Sequence, residues 1–375
     1  MVNTLNQIKE NRAVLIGFIK NEINEFLPEE TLNELELLTE TLGLKVTYKI
    51  LKRLREINPK YYIGKGALEE IKLIAQKENA KYLIFDETLS YSQIKNISEY
   101  TNLYVLDRPH LIIEIFEKRA KTNEAKIQVE LARLKMELPA IIGIGKSLDQ
   151  QMGIVGIRAG RGEKLIELKR RAIERRINNL NKELKKIEKR REIRRKLREK
   201  SQIPVVSIVG YTNSGKSTLF NALTNEETYT ENMLFATLDT LVRKAYLKKY
   251  DKEILVIDTV GFIQKLPPLL ISSFKSTLEE INYSDLIIHL IDASSPSFKK
   301  HMISVKEILD EILYKEIKIL NVYNKIDLLN EYQIERIKKE DETGILISAL
   351  KKINIDELKD KIGYELFERA DILKY

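Results

Sequence analysis

Residues 210–218 read Gly-Tyr-Thr-Asn-Ser-Gly-Lys-Ser-Thr and fit the pattern Gly-x4-Gly-Lys-Ser/Thr. An apolar, β-branched run at 204–209 precedes this stretch, and apolar residues at helical spacing follow it at 219–223. Strand, loop and helix in this order are the context that a phosphate-binding loop requires, whereas a chance glycine-rich turn is the alternative. Such a loop directs backbone N–H groups and the positive end of a helix dipole at a polyphosphate. The stretch therefore predicts an α/β nucleotide-binding domain.

Two side chains of this loop have separate expected roles. Lys216 adds a positive charge toward the β and γ phosphates, and Ser217 offers its hydroxyl to the magnesium ion that accompanies them. We therefore expect Mg²⁺ as a cofactor.

Composition limits the possible classes of protein. The 375 residues are 43% hydrophobic and contain no cysteine, so we expect two or three folded domains without disulfides, zinc-thiolate sites or a cysteine nucleophile. No apolar run approaches the roughly 18 residues of a membrane helix, and we expect a cytoplasmic monomer with no membrane span. The net charge of +8 favours a polyanionic partner, although a lysine-rich soluble surface is the alternative.

Residues 1–120 alternate between strand-like and helix-like patterns. Strands are predicted at 13–19, 44–50, 81–85 and 103–107, and helices at 29–41, 67–77, 92–100 and 111–119. This βαβα order predicts a small, mostly parallel α/β domain. Gly64-Lys65-Gly66 could hold a phosphate, but a turn that needs positive φ explains it equally well.

Residues 121–200 predict a basic helical hairpin. Helical periodicity runs from 122 to a predicted stop at Pro139, and a second helix spans about 164–200. The glycine- and arginine-rich loop at 153–163 could follow an RNA backbone or simply connect the helices. The second helix carries a basic face, which is either solvated or in contact with nucleic-acid phosphates. Its basic residues are Arg170, Arg171, Arg175, Arg176, Lys185, Lys186, Lys189, Arg190, Arg191, Arg194, Arg195 and Lys196.

Residues 201–375 contain further motifs in the order that a P-loop GTPase requires. In the polar loop 234–240, Thr237 is expected to close on magnesium when the γ-phosphate is present, with Thr240 as the alternative. Asp258 ends an apolar strand and is expected to reach the metal through water, although a buried capping carboxylate is the alternative. The N–H of Gly261 is expected to sense the γ-phosphate.

The base is predicted from residues 324–327, Asn-Lys-Ile-Asp. The carboxylate of Asp327 only accepts hydrogen bonds, so it pairs with the ring N–H and amino group of guanine and mismatches adenine. Ser348 and Ala349 follow a predicted strand and are expected to support the guanine carbonyl through backbone N–H groups.

Two positions refine the expected mechanism. Ras-like GTPases place a water-orienting glutamine directly after the glycine of the aspartate motif, whereas this chain has Phe262 there. We therefore expect slow intrinsic hydrolysis, with help from a partner. Asn213 resembles the asparagine of cation-dependent GTPases that place K⁺ beside the phosphates, and an ordinary loop-stabilising asparagine is the alternative.

The chain resembles the HflX family of ribosome-associated GTPases over nearly its whole length. The matching stretches are YYIGKGALEEIK from Tyr61, LIFDETLSYSQIKNI from Leu83, VLDRPHLIIEIF from Val105, EAKIQVELARLK from Glu124, GYTNSGKSTLFNALT from Gly210, and then LFATLD, DTVGFIQKLP and NKID. The resemblance implies an α/β subdomain and helical hairpin before the GTPase domain, binding to the large ribosomal subunit and its RNA, and GTP-dependent ribosome splitting. A GTPase acting on another structured RNA, and a nucleotide-gated scaffold with little turnover, are the alternatives.

The chain departs from the family pattern at three places. Residues 158–164 read RAGRGEK instead of the usual Gly-Pro-Gly-Glu-Thr loop, and Thr240-Leu241 replaces Pro-Thr after Asp239. The chain ends at Tyr375, so the C-terminal domain of longer members is expected to be absent or vestigial.

The sequence thus predicts an α/β protein in which a P-loop GTPase domain, residues 201–375, follows the small α/β domain and the long antiparallel hairpin. Lys216, Thr237 and Gly261 are the expected catalytic residues, and Ser217, Thr237 and Asp258 the expected metal-binding residues. The residues expected to bind GTP are Gly210, Tyr211, Thr212, Asn213, Ser214, Gly215, Lys216, Ser217, Thr218, Asp258, Gly261, Asn324, Lys325, Asp327, Ser348 and Ala349.

Overall fold

The computed structural model describes residues 11–20, 27–151, 160–201, 203–224, 234–235, 241–265, 270 and 279–368, with the backbone alone for 142–151, 160–164 and 194–201. The chain forms two compact units, one of residues 1–118 and 126–184 and one of residues 119–125 and 185–375. The three-part division at residues 120 and 200 stays a prediction.

The N-terminal part is a four-stranded parallel sheet with helices between its strands. Its elements are β1 (Arg12–Ile19), α1 (Pro28–Leu42), β2 (Lys45–Arg53), α2 (Lys65–Lys77), β3 (Tyr82–Phe85), α3 (Tyr91–Thr101), β4 (Tyr104–Asp107) and α4 (Arg108–Arg119). The strand order is β2-β1-β3-β4, and every pair is parallel. Residues 13–16 of β1 are fully buried, as expected of a central parallel strand covered on both faces. The predicted βαβα domain is confirmed.

A buried arginine stabilises the carboxyl edge of this sheet. Arg108 is 1% exposed, and its guanidinium contacts the carboxylates of Asp86 and Glu34. A buried charge is tolerated only when it is paired in this way, so these three side chains depend on one another.

The glycines of the 64–66 turn do not carry the left-handed backbone that the sequence suggested. Gly64 has φ −62° and precedes α2, and Gly66 lies within that helix. Tyr62 adopts the positive φ instead, at +66°. The explanation by positive φ is therefore wrong for these two glycines.

The hairpin consists of α5 (Asn123–Gln151) and α6 (Gly160–Ser201). Pro139 was predicted to end the first helix, and this was wrong because α5 continues through it. A proline removes one helical hydrogen bond, but Pro139 is exposed, so the freed carbonyl of Lys135 can be hydrated. The second helix begins at Gly160, four residues before the predicted start. Most of the predicted 153–163 loop lies outside the described residues.

The two helices of the hairpin run antiparallel and meet along an apolar stripe. Leu180 of α6 is fully buried, and Ile127 and Leu131 of α5 are 5% and 2% exposed. Arg176 donates to both oxygens of Glu130 at 2.7 Å, which joins the helices at their surface.

Among the described residues, no helix is both long enough and apolar enough to cross a bilayer.

The C-terminal part is a six-stranded sheet flanked by helices. Its elements are β5 (Val205–Gly210), α7 (Lys216–Thr224), β6 (Leu241–Leu247), β7 (Lys252–Asp258), β8 (Leu286–Asp292), α8 (Phe298–Ile312), β9 (Lys318–Asn324), α9 (Glu331–Glu340), β10 (Ile345–Leu346) and α10 (Ile355–Gly363). The strand order is β10-β9-β8-β5-β7-β6, with only β6 antiparallel to its neighbour. The predicted P-loop fold is confirmed.

The sheet brings the predicted motifs to one edge. Gly210, Asp258, Asp292 and Asn324 are the last residues of β5, β7, β8 and β9, which are neighbours in the sheet. Ligands of open α/β sheets bind at this carboxyl edge, so the strand order alone assembles a candidate site from segments more than 100 residues apart.

Candidate nucleotide-binding site

The phosphate loop lies between the end of β5 and the start of α7. Gly215 has φ +95° and Asn213 has φ +61°, which is a left-handed backbone that glycine and asparagine adopt more readily than other residues. Lys216, Ser217 and Thr218 form the first turn of α7. The positive end of the helix dipole therefore points into the loop.

Lys216 is buried inside the loop that it terminates. Its ammonium group donates to the carbonyl oxygens of Tyr211 (2.7 Å) and Gly210 (3.2 Å). Burial, opposed by the charge of Asp258 and assisted by that of Lys325, lowers the pKa of Lys216 to about 8. The protonated ammonium group can pair with an anion, although burial leaves it little contact with water.

Two hydroxyl groups of the loop are buried without a partner. The Oγ1 atom of Thr212 and the Oγ atom of Ser214 form no hydrogen bond, although both residues are buried. Leaving such a group unpaired costs about 1–3 kcal/mol, so unpaired groups in a native protein require an explanation. A polar ligand in the loop would supply one.

A hydroxyl and a carboxylate meet beside the loop. Ser217 donates to Asp258 at 2.9 Å, and Asp258 is fully buried at the end of β7. Oxygen donors of this kind are the ligands that Mg²⁺ prefers. The two residues therefore fit the predicted magnesium site.

The segment after Asp258 lies against the phosphate loop. A Cβ atom on Gly261 would be 2.8 Å from the ammonium nitrogen of Lys216 and 2.9 Å from a methyl group of Thr212, so only glycine fits there. Phe262 is 2% exposed and packs with Tyr211, Ile281 and Val305. Its side chain faces the core, and it offers no polar atom to a water molecule.

Asn324 joins the phosphate loop to the loop after β10. Its amide nitrogen donates to the carbonyl of Ser214 (2.8 Å), and its amide oxygen accepts from the N–H of Ala349 (2.9 Å). Lys325 adopts φ +66° and forms an ion pair with Asp292 at 2.6 Å. These contacts fix the base-recognition motif relative to the phosphate loop.

The remaining residues predicted to recognise the base differ in how accessible they are to a ligand. Asp327 is exposed in a short 3-10 helix (Ile326–Leu328), where a ligand can reach its carboxylate. The N–H groups of Ser348 and Ala349 are already used, by the carbonyl of Ile353 and by Asn324. A contact from these groups to a base would require a change of partner.

Thr237 and the alternative Thr240 lie outside the described residues.

Two residues that contribute to the site were not predicted from the sequence. Asp292, the partner of Lys325, could have been found because it ends an apolar strand at the same edge. His301, which stacks on Tyr211, carries no local signal because its partner is 90 residues away.

Three family profiles match the chain. Residues 29–117 match "GTP-binding GTPase N-terminal", residues 119–198 match "GTP-binding GTPase Middle Region", and residues 205–325 match "50S ribosome-binding GTPase".

Curated relatives match most of the chain. The chain is 43% identical to GTPase HflX of Caldanaerobacter subterraneus subsp. tengcongensis, over 98% of this chain and 83% of the relative. It is 37% identical to GTPase HflX of Escherichia coli K12, over 88% of this chain and 77% of the relative.

Solved structures match over the same extent. A crystal structure of SsGBP in complex with GDP is 32% identical, with a TM-score of 0.50, and covers 96% of this chain and 99% of its own. A substitution variant of SsGBP gives a TM-score of 0.51 at 27% identity over the same shares. Motif order, strand-edge geometry and this end-to-end similarity lead to one conclusion: the chain belongs to the HflX family of GTPases, enzymes that hydrolyse GTP to GDP and phosphate.

Proposed function

We propose that the protein binds GTP at the carboxyl edge of the six-stranded sheet and uses its hydrolysis to control association with the large ribosomal subunit, splitting or rescuing ribosomes. The GTP-binding part of this proposal rests on two buried hydroxyl groups without a partner, those of Thr212 and Ser214. They lie in a loop that also holds a buried lysine. Phosphate oxygens would accept from these groups and replace the two carbonyls that Lys216 now contacts.

The assignment of roles follows from placement. Backbone N–H groups of residues 211–218 surround the phosphates, Lys216 neutralises the β and γ phosphates, and the N–H of Gly261 donates to the γ-phosphate. Asn324 holds the loops together while Asp327 accepts from the guanine ring. Thr237 completes the γ-phosphate side in this proposal.

Ser217 and Asp258 would hold Mg²⁺, Ser217 directly and Asp258 through water. The ion neutralises charge on the β and γ phosphate oxygens when bound. K⁺ is proposed beside Asn213, an exposed residue of the phosphate loop with a left-handed backbone. Hydrolysis that is faster in K⁺ than in Na⁺, with the difference lost in Asn213→Ala, would support this cation site.

The buried position of Phe262 supports slow intrinsic turnover. The residue after Gly261 is a phenylalanine that packs in the core, so it cannot orient water as a glutamine would, and a group from a partner must do so. A ribosomal partner would therefore be both the target and the activator.

The second half of the proposal rests on charge that the hairpin leaves uncompensated. Several arginines of α6 are paired: Arg170 and Arg171 with Glu167, Arg176 with Glu130, and Arg191 with Glu124. Within the described part of α6, an exposed group at 185–190 forms no ion pair. Its members, called the basic cluster here, are Lys185, Lys186, Lys189 and Arg190. Unpaired cations on a rigid helix are suited to phosphate contacts.

Co-sedimentation with purified large ribosomal subunits tests this function. We expect pelleting with a non-hydrolysable GTP analogue and release with GDP. Replacing the four residues of the basic cluster by alanine should weaken pelleting and reduce its dependence on salt. Lys338→Ala with Lys339→Ala, which removes two positive charges from the exposed face of α9, is the control and should pellet like the wild type. Equal binding with both nucleotides, or none, would contradict the proposal.

A further inference from the structure

The segment Gly261 to Gln264 is attached to the phosphate loop by backbone hydrogen bonds. Phe262 N–H donates to the carbonyl of Gly210 (3.1 Å), and Thr212 N–H donates to the carbonyl of Phe262 (2.7 Å). Tyr211 and Phe262 are thereby paired as in a parallel sheet. These bonds fix the segment as far as Phe262.

A side chain extends this attachment by two residues. The hydroxyl of Tyr211 accepts from the backbone N–H of Gln264 at 2.7 Å. Both residues are buried, at 7% and 5% exposure, so the N–H of Gln264 has no access to bulk water. Just beyond it, Lys265 adopts φ +50° and the chain changes direction.

The ring of Tyr211 is itself fixed by a helix on the other side. It stacks on the imidazole of His301 in α8, with ring centroids 3.9 Å apart and planes 12° apart. It also packs with Val209, Phe262 and Val305. The hydroxyl therefore has one defined position, and the ring lies within this apolar cluster.

Gly261 is the first residue of this attached segment. A Cβ atom on Gly261 would be 2.8 Å from the ammonium nitrogen of Lys216, so the backbone of Gly261 lies close to the lysine of the phosphate loop, and a shift of the segment would move the Gly261 N–H relative to that loop. A hydrogen-bond donor aimed at the γ-phosphate must be held to within a fraction of an ångström to act in the transition state.

We propose that Tyr211 is a positioning residue for GTP hydrolysis, which holds residues 261–264 against the phosphate loop through its hydroxyl and its stack on His301. Tyr211 touches no phosphate with its side chain; it acts through the backbone of Gln264 and so through Gly261. The inference concerns the hydrolytic site and is independent of the ribosomal partner.

Tyr211→Phe tests this role because it keeps the ring and removes the acceptor. The N–H of Gln264 is then buried without a partner, and the segment loses one attachment. We expect single-turnover GTP hydrolysis to slow about tenfold and the preference for a GTP analogue over GDP to fall by a similar factor. GDP affinity should stay within about twofold, because the phosphate loop and Asn324 are intact.

The matched control is Tyr323→Phe in β9, which also removes the hydroxyl of a buried tyrosine, here one that donates to Asp341 at 3.1 Å. It should leave hydrolysis and nucleotide preference unchanged. His301→Leu, which removes the stack while leaving the hydroxyl, should give a smaller loss of the same kind, and it makes the same test if Tyr211→Phe fails to fold. Wild-type hydrolysis and nucleotide preference in these variants would overturn the proposal. Parallel loss of GDP and GTP-analogue affinity would overturn it too, because it indicates a merely structural role.

Discussion

The side-chain amide of Asn324 donates to the main-chain carbonyl of Ser214 at 2.8 Å and so links the base-recognition motif to the phosphate loop. The same amide accepts from Ala349, which ties in the loop after β10. One buried side chain therefore holds three segments of the site in register without needing to touch the base.

The first prediction follows from this junction. Asn324→Ala leaves the carbonyl of Ser214 and the N–H of Ala349 buried and unpaired, at a cost of about 1–3 kcal/mol each. GTP and GDP affinity should fall together by at least about tenfold, and the free energy of unfolding should fall without nucleotide. Fluorescent-nucleotide titration and urea unfolding measure the two effects.

Asn330→Ala is the control for that prediction. Asn330 caps α9 through the N–H of Gln333 (2.9 Å) and lies on the surface. Its loss should cost about 1 kcal/mol of stability and leave nucleotide affinity alone. If Asn324→Ala behaved like Asn330→Ala, the junction would have no part in binding.

The second prediction concerns the base. Asp327→Asn exchanges an acceptor for a group that also donates, so guanine loses charge-assisted hydrogen bonds and xanthine gains a partner for its additional carbonyl. GTP affinity should fall by about 100-fold while affinity for xanthosine triphosphate rises. Asp356→Asn, on the exposed first turn of α10, should change neither affinity. Unchanged GTP affinity in Asp327→Asn would remove this residue from the site.

The third prediction concerns pH. Burial lowers the pKa of Lys216 to about 8, and phosphate binding favours the charged form. Nucleotide binding should therefore take up a proton above this pKa, so affinity should be constant below about pH 8 and weaken by up to about tenfold per pH unit above it. Titrations of GDP between about pH 7 and pH 9 measure the slope.

Lys216→Arg provides the comparison, since arginine stays protonated throughout this range. Guanine ionisation affects both proteins equally, whereas the lysine-dependent slope should vanish in the variant. A wild-type slope identical to that of Lys216→Arg would contradict the assignment.

The fourth prediction concerns acid stability. His289 lies buried in β8, and burial lowers its pKa to about 4, although a hydrogen bond with Asn321 opposes the shift. The unfolded state binds a proton near pH 6.5 and the folded state does not, so stability falls as pH drops from about 6.5 toward 4.

The expected loss from His289 is about 2 kcal/mol between about pH 7 and pH 5, measured by urea unfolding. His289→Asn keeps a polar side chain but removes the titration, so its stability should fall less over that range. The same pH dependence in both proteins would show that carboxylates, not His289, control acid unfolding.

The sequence was informative where function depends on a local pattern. The motifs that begin at Gly210, Asp258 and Asn324 follow apolar runs, and the structure places each of these residues at the end of a strand on one sheet edge. The prediction that the helix ends at Pro139 was wrong because the helical periodicity before and after the proline outweighs its local helix-breaking effect.

The features of the site that the sequence did not predict depend on contacts between residues far apart in the chain. Tyr211 was expected to bind GTP as part of a loop that uses its backbone N–H groups, and nothing in the local sequence indicates that its side chain stacks on His301 from another helix. The N–H of Ala349 is taken by Asn324, and part of the basic face of α6 is neutralised by glutamates such as Glu130 in the facing helix. Such pairings cannot be predicted from the sequence pattern of a single segment.

The measurement that tests the central claim most directly is single-turnover GTP hydrolysis with and without purified large ribosomal subunits. Because Phe262 is buried and this chain has no glutamine after Gly261, we predict slow hydrolysis alone and an acceleration of at least about tenfold on adding the subunits. Equal rates in both conditions would contradict the account and favour a nucleotide-gated scaffold instead.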